Sequence, residues 1–138
     1  MSAYFLDTNH LSAALQRVSP VRDRVFEEIR RGHRFGTCLP ALCELEAGIA
    51  QTARPQATRR LLDTLLNEIR IWPFDRQDTR FYGDLYLELV RSGRVLSLVD
   101  VLVAVMARRL NATLLTTDRD FEAIPDVPRE NWVVAERL

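Results

Sequence analysis

The chain contains no lysine, and all 19 of its basic residues are arginine. They are balanced by 19 acidic residues, so the formal net charge at pH 7 is zero. This balance argues against a protein that holds nucleic acid by bulk positive charge alone, although it allows a local basic surface. The exclusive use of arginine fits either a compositional bias of the genome or recognition of phosphate, whose geometry the guanidinium group matches.

Cysteine is scarce as well, and the chain has only Cys38 and Cys43. Two cysteines form no disulfide framework, and their surroundings do not resemble a zinc site, so we expect both to be small core residues in a reducing compartment. No apolar run is long enough to cross a bilayer, and the start of the chain, MSAYFLDTNH, lacks the basic and apolar regions of a signal peptide. We therefore expect a cytoplasmic protein without a membrane partner.

The residues that are present indicate a globular α/β domain. The chain is 47% hydrophobic and 28% charged, which is typical of a folded domain with a substantial core. Strand-like segments at 3–6, 35–39, 71–74, 112–115 and 132–135 alternate with helical patterns at 8–16, 20–31, 40–52, 56–69, 77–91 and 98–110. The alternation predicts one domain, residues 1–138, with a central parallel sheet of about four to five short strands and helices on both faces.

Four acidic residues lie at strand ends or in apolar stretches. Asp7 directly follows the first strand, AYFL, and Asp118 follows ATLL and two threonines. Sites in parallel sheets gather at the carboxyl ends of the strands, so both residues point to the same edge. Asp100 is the one charge in LSLVDVLVAVM, where an unpaired buried carboxylate is costly. Glu44 lies in the first turns of the helix that Pro40 opens.

Three of these acidic residues also have a structural interpretation. Asp7 can cap the helix that begins at Thr8, and Asp100 can help to cap its own helix. Asp118 suits a turn in TTDRD. We assign Asp120 a structural role, as the cap of the segment FEAI that follows it.

Glu44 has a competitor within its own helix. The apolar face of this helix consists of Ala41, Leu42, Leu45, Gly48 and Ile49. Glu44 flanks one side of that face and Glu46 flanks the other. The helical periodicity therefore leaves the choice between the two glutamates open.

Four motifs resemble, in order and separation, the acidic motifs of PIN-domain ribonucleases, and their spacing and the chain length resemble the VapC-type toxins of bacterial toxin–antitoxin pairs. The motifs are LDTN at 6–9, ELEAG at 44–48, DVLVAVMA at 100–107 and LLTTDRDF at 114–121. The resemblance runs from Tyr4 to about Trp132 and implies a single PIN domain over residues 1–138. One departure is Val103, because the family commonly has isoleucine at this position.

The resemblance implies a catalytic site made of Asp7, Glu44, Asp100 and Asp118, because the family's glutamate motif selects Glu44 over Glu46. Asp7, Asp100 and Asp118 are the expected direct or water-mediated metal ligands. Glu44 is expected as a further ligand or as a base that orients water. A site with only oxygen donors favours Mg²⁺, with Mn²⁺ as the alternative.

Two polar neighbours are expected to support these carboxylates. The family's T-x-D pattern selects Thr116, whose hydroxyl is expected to hold a carboxylate or the attacking water. Asn9, next in the LDTN motif after Thr8, is expected either to play a similar role or to cap the first helix.

The activity that the resemblance implies is that of a Mg²⁺-dependent endoribonuclease, the toxin of a toxin–antitoxin pair. Such an enzyme cleaves RNA with a metal-activated water and leaves a 3′-hydroxyl and a 5′-phosphate. A homodimer and a hetero-oligomer with a cognate antitoxin protein are also implied. Two alternatives stay open. One is an aspartate-dependent phosphatase, although Asn9 stands where those enzymes need a second aspartate, and the other is a catalytically silent PIN-like protein-binding module.

Contacts to RNA are expected from arginine side chains. Six of them lie near the early helices, at positions Arg17, Arg22, Arg24, Arg30, Arg31 and Arg34. A charged helix face is the default interpretation of such a group, so none of the six is assigned to RNA binding.

Overall fold

Helices and strands alternate along residues 1–133, the part of the chain that this computed structural model describes. The strands are β1 (Ala3–Leu6), β2 (Arg34–Thr37), β3 (Arg70–Ile71), β4 (Thr113–Leu115) and β5 (Arg129–Glu130). The α-helices are α1 (Thr8–Ala14), α2 (Pro20–Arg30), α3 (Leu39–Ala50), α4 (Pro55–Leu66), α5 (Arg76–Arg91) and α6 (Leu98–Leu110). A short 3-10 helix at Arg119–Ala123 follows β4.

The five strands form one parallel sheet in the order β3-β2-β1-β4-β5. β1 lies at the centre, with Phe5 beside Gly36 of β2 and Leu6 beside Leu115 of β4. Helices connect the strands and flank the sheet, which confirms the predicted α/β fold class. Because the sheet is parallel, the residues that follow β1, β2 and β4 all emerge at one edge.

Neighbouring residues of β1 pack on opposite faces of the sheet. Tyr4 packs against Trp132, with ring centroids 5.3 Å apart, and Phe5 packs against Trp72 at 5.8 Å. A Cβ atom at Gly36 would lie 2.6 Å from the ring of Trp72. Gly36 therefore leaves the space that the indole of Trp72 occupies beside β2.

The strand that pairs with β4 lies earlier in the chain than the predicted last strand. An apolar pattern predicts a strand over 132–135, but residues 132 and 133 are not in a strand, and β4 pairs with Arg129–Glu130. Both residues of β5 are charged and exposed, so the segment carries no apolar signal. Its position is fixed by backbone hydrogen bonds, from Leu114 N to Pro128 O at 2.8 Å and from Thr116 N to Glu130 O at 3.1 Å. Residues 134 and 135 of the predicted strand lie outside the described residues.

Two smaller differences concern β3 and Cys43. β3 is shorter than the predicted segment 71–74, because Pro73 has no N–H with which to continue the pairing. Cys38 is buried as expected, but Cys43 is exposed, so its predicted core position is wrong. Cys43 lies outside the buried face of α3, to which Leu42 and Leu45 belong.

Across residues 1–133, the helices are all too short or too polar to cross a bilayer.

Candidate acidic active site

Asp7 connects the end of β1 to both α1 and the end of β4. It is the N-cap of α1, and its Oδ1 accepts a hydrogen bond from Thr8 N at 2.8 Å. Its Oδ2 accepts a hydrogen bond from Thr116 Oγ1, also at 2.8 Å. The side chain is buried, with 4% of the residue exposed. The capping interpretation of Asp7 is therefore correct for one oxygen, while the other oxygen lies at the sheet edge where the site was expected.

Thr116 and Asn9 both contact the Asp7 carboxylate. Thr116 Oγ1 accepts a hydrogen bond from Asp118 N at 3.0 Å, which shapes the turn after β4. Asn9 Nδ2 donates to Asp7 Oδ2 at 3.2 Å and to Thr116 Oγ1 at 3.3 Å, and Asn9 Oδ1 accepts from Thr117 N at 3.1 Å. The cap of α1 is Asp7, so Asn9 does not have the capping role that was its alternative.

Asp100 reaches the site from the first turn of α6. The N-cap of α6 is Ser97, whose Oγ accepts from Asp100 N at 3.1 Å, so Asp100 lies in the first turn and is not itself the cap. Burial, together with the charges of Asp7, Asp118 and Glu44, raises the pKa of Asp100 to about 6, and a hydrogen bond with Ser97 opposes the rise. Burial likewise raises the pKa of Asp7. The carboxylates are thus close enough to repel one another.

The structure distinguishes between the two glutamates of α3. Glu44 Oε1 accepts a hydrogen bond from Thr8 Oγ1 at 2.9 Å. Because Thr8 directly follows Asp7 in the chain, this bond holds the Glu44 carboxylate on the side of Asp7. Glu46 Oε2 instead lies 3.0 Å from Arg59 Nε of α4. Glu44 is the glutamate on the side of the acidic cluster, and Glu46 joins two helices.

The turn after β4 corrects the role assigned to Asp120. Asp118, in extended conformation, is the N-cap of the 3-10 helix, and its Oδ1 accepts from Asp120 N at 2.8 Å. The assignment of Asp120 as that cap is therefore wrong. Single carboxylate oxygens of Asp100, Asp118 and Asp120 lie within 4.8 Å of one another. Asp120 is thus a further candidate ligand that sequence reasoning missed, although its spacing of two residues from Asp118 was a usable signal.

The donor set fits a hard divalent cation. Among the described residues, the donors that come together are carboxylate oxygens, which suit Mg²⁺ or Mn²⁺ rather than a soft metal. The raised pKa of Asp100 also favours a bound cation, because a cation reduces the repulsion between like charges at a poorly solvated position.

Two further residues near the cluster escaped the sequence reasoning. Thr8 supplies the hydroxyl that holds Glu44. His10 is fully buried in α1, with its Nδ1 2.8 Å from Asn9 Oδ1 and its Nε2 2.9 Å from Trp132 N. The signal for its burial was its position four residues before Ala14, on the face of α1 that packs inward.

Several of the early arginines have structural contacts. Arg22 Nη1 donates to Ala14 O at 2.8 Å and so caps the carboxyl end of α1. Arg24 lies over the ring of Trp132, 3.8 Å from its centroid. Arg31 forms ion pairs with two glutamates of α2. These contacts favour a structural role for the three side chains over contact with RNA.

The sheet topology and the acidic cluster define an α/β domain whose strand ends present carboxylates suited to a divalent cation. The chain belongs to the PIN-domain family, because the model of that family, described as PIN domain, matches residues 4–127.

Similar proteins match over almost the whole chain. Ribonuclease VapC2 of Rickettsia felis is 29% identical over 130 residues, which are 94% of this chain and 97% of the relative. A chain in the crystal structure of VapBC2 from Rickettsia felis bound to a DNA fragment from their promoter has a TM-score of 0.84 and 28% identity, with 95% and 99% of the two chains covered. DNA-bound VapBC from Salmonella typhimurium gives a TM-score of 0.83 at 23% identity, with 96% and 100% covered, which supports the fold alone.

Proposed function

We propose that this protein is a divalent-cation-dependent endoribonuclease and the toxin of a toxin–antitoxin pair. The observation that carries the proposal is the meeting of carboxylates from separate segments at one sheet edge. Asp7 follows β1, Glu44 lies on α3, Asp100 on α6, and Asp118 follows β4, and the charges of the other three all raise the pKa of Asp100. The relative named Ribonuclease VapC2 supports RNA as the substrate class.

The carboxylates have different surroundings and therefore different proposed roles. Asp7, Asp100 and Asp118 would hold Mg²⁺ or Mn²⁺. Asp100 and Asp118 form a close group with Asp120, and Asp7 lies beside this group, where its charge raises the pKa of Asp100. When bound, such a cation acidifies a water and stabilises negative charge on a phosphodiester. Glu44 is exposed and held by Thr8, so it is the group placed to orient water or accept its proton.

Thr116 and Asn9 would keep the Asp7 carboxylate in one orientation. Both donate to Asp7 Oδ2, at 2.8 and 3.2 Å. Hydrogen bonds of this kind fix the direction of the lone pairs that face a cation, and they also favour the ionised carboxylate.

A protein partner forms part of the proposal. The solved relatives include VapBC complexes, so we propose that this chain binds a cognate antitoxin and assembles as a homodimer and a hetero-oligomer. A cavity of about 390 Å³ begins at Glu44 and continues between α1, α3 and α4, past Leu15 and Ile49. Its mixed polar and apolar lining suits a peptide segment. Exposed apolar side chains on α5, among them Phe81 and Tyr86, offer a second surface.

Incubation of the purified protein with total cellular RNA, with Mg²⁺ and with EDTA, tests the proposal. We expect new 5′-phosphate ends with Mg²⁺, none with EDTA, and none with the Asp100→Asn variant. Hydrolysis of a generic phosphate monoester without RNA cleavage would indicate a phosphatase, and neither reaction would indicate a silent binding module. A cytoplasmic location stays a prediction.

The toxin role needs a separate experiment in cells. Expression of the chain alone is expected to arrest growth, and co-expression of the cognate antitoxin is expected to restore it. Unimpaired growth at a high level of folded protein would contradict this part of the proposal.

A further inference from the structure

We propose that His10 is a positioning residue, which holds the Asn9 amide and through it the Asp7 carboxylate in the orientation that the site requires. The proposal deepens the function proposed above and rests on it. His10 does not itself contact the acidic cluster, and its effect passes through Asn9.

The hydrogen bonds of His10 determine which ring nitrogen carries the proton. Trp132 N is a backbone donor 2.9 Å from Nε2, so Nε2 must be the acceptor. The proton of the neutral ring is then on Nδ1, which donates to Asn9 Oδ1 at 2.8 Å. Burial lowers the pKa of His10 to about 4, so the neutral ring persists through the physiological range.

The orientation of the Asn9 amide follows from these roles. Its Oδ1 accepts from both His10 Nδ1 and Thr117 N, and its Nδ2 is thereby directed at Asp7 Oδ2 and Thr116 Oγ1. A rotated amide would place Oδ1 against a carboxylate oxygen and Nδ2 against two donors. Loss of the His10 donor removes the shortest of the contacts that prevent this rotation.

Trp132 anchors the other end of the chain of hydrogen bonds. Its ring packs against Tyr4 of β1 and under the guanidinium of Arg24, and its Nε1 donates to Glu130 at 3.0 Å. The backbone N–H that meets His10 is therefore held by side-chain packing. His10 connects this packed segment to the acidic edge of the sheet.

Two substitutions separate the two hydrogen bonds of His10. In His10→Asn, the side-chain amide replaces Nδ1 and still donates to Asn9, while Trp132 N loses its acceptor. In His10→Gln, the longer side chain replaces Nε2 and still accepts from Trp132 N, while Asn9 loses its donor. Each variant gives up one buried hydrogen bond and part of the ring volume, so both are expected to have a lower Tm.

The proposal predicts that the two variants differ in activity. We expect kcat for RNA cleavage in His10→Asn to stay within about threefold of wild type and that of His10→Gln to fall by about tenfold or more, with KM unchanged in both. Mn²⁺ affinity, measured by titration, should likewise fall less in His10→Asn than in His10→Gln. Leu65→Ala, a buried change on α4 outside the cluster, controls for stability and should lower Tm without lowering kcat per folded molecule.

Equal activity and equal Mn²⁺ affinity in the two variants would overturn the proposal. A loss of kcat that simply parallels the loss of Tm across the two His10 variants and Leu65→Ala would overturn it as well. The Mn²⁺ titration needs no substrate, so a wild-type protein that cleaves no RNA would refute the proposed function and leave the His10 comparison valid. If neither variant folds, ¹⁵N–¹H NMR of the wild-type imidazole decides. A proton on Nδ1 is the expected result, and a proton on Nε2 would overturn the proposal.

Discussion

Replacement of Asp100 by asparagine is expected to stabilise the metal-free protein and to abolish RNA cleavage. The pKa of Asp100 is raised from 3.8 to about 6, mainly by burial and by the neighbouring carboxylates. A difference of this size corresponds to about 3 kcal/mol against folding when the group is ionised at pH 7. Because Asp100 is partly exposed, screening by solvent reduces the expected gain to about 1–2 kcal/mol, or roughly 3–8 °C in Tm.

The pH dependence has a defined sign. A carboxyl group with a raised pKa binds protons more tightly in the folded state, so Asp100 adds stability as the pH falls from about 7 towards 4. His10 has the opposite effect, since burial lowers its pKa from 6.5 to about 4 and the unfolded chain is protonated first. In wild type the contributions of Asp100 and His10 oppose each other, whereas in Asp100→Asn the contribution of His10 is opposed by Asp7, whose pKa is also raised, and no longer by Asp100. Between pH 7 and pH 5 the variant should therefore lose roughly 1 kcal/mol more stability than wild type.

Thermal unfolding of wild type and Asp100→Asn, with EDTA and with Mn²⁺, measures the stability of each protein and its response to the cation. Wild type should gain about 3 kcal/mol at a hundredfold excess of Mn²⁺ over its Kd, and Asp100→Asn should gain clearly less. Asp126→Asn is the matched control, because Asp126 lies 2.7 Å from Arg108 in an exposed ion pair and should give no stabilisation when neutralised. An Asp100→Asn variant that is less stable than wild type in EDTA at pH 7, with an unchanged response to Mn²⁺, would refute the assignment of Asp100 as a ligand.

Four further substitutions test the acidic site and the packing of the sheet. Glu44→Gln should slow RNA cleavage by about 100-fold, whereas Glu46→Gln, which loses only a partly exposed ion pair, should stay within about twofold in the same assay. Asp120→Asn should weaken Mn²⁺ binding in a titration by about tenfold, and unchanged binding would remove Asp120 from the site. Gly36→Ala should lower stability by about 1–3 kcal/mol in urea unfolding, because the added methyl group meets the ring of Trp72, and a neutral result would contradict that packing.

The sheet edge was predictable because it follows from general topology. Asp7 and Asp118 come directly after strands, and parallel strands bring their carboxyl ends together regardless of the details of packing. Asp100 was conspicuous because it is a charge within an apolar helix. For these residues, local sequence and global fold give the same answer.

The remaining features depend on contacts that a linear pattern does not contain. Glu44 and Glu46 are equivalent by helical periodicity, and the contacts with Thr8 and Arg59 distinguish them. β5 is charged, and backbone pairing alone gives its position. The role of His10 depends on a residue more than a hundred positions away, Trp132, to which no local spacing points.

Asp7 both caps α1 and belongs to the proposed acidic site, so an inactivating change at Asp7 has a different effect on the folded protein from one at Asp100. A change at Asp7 removes the carboxylate and also the cap of α1, worth about 1 kcal/mol, while a change at Asp100 leaves the Ser97 cap of α6 in place. Under the proposed function, cells that escape the toxin through Asp100 would retain a well-folded decoy that still sequesters antitoxin. Cells that escape through Asp7 would carry a less stable protein, which proteases remove faster, and would leave more antitoxin unbound.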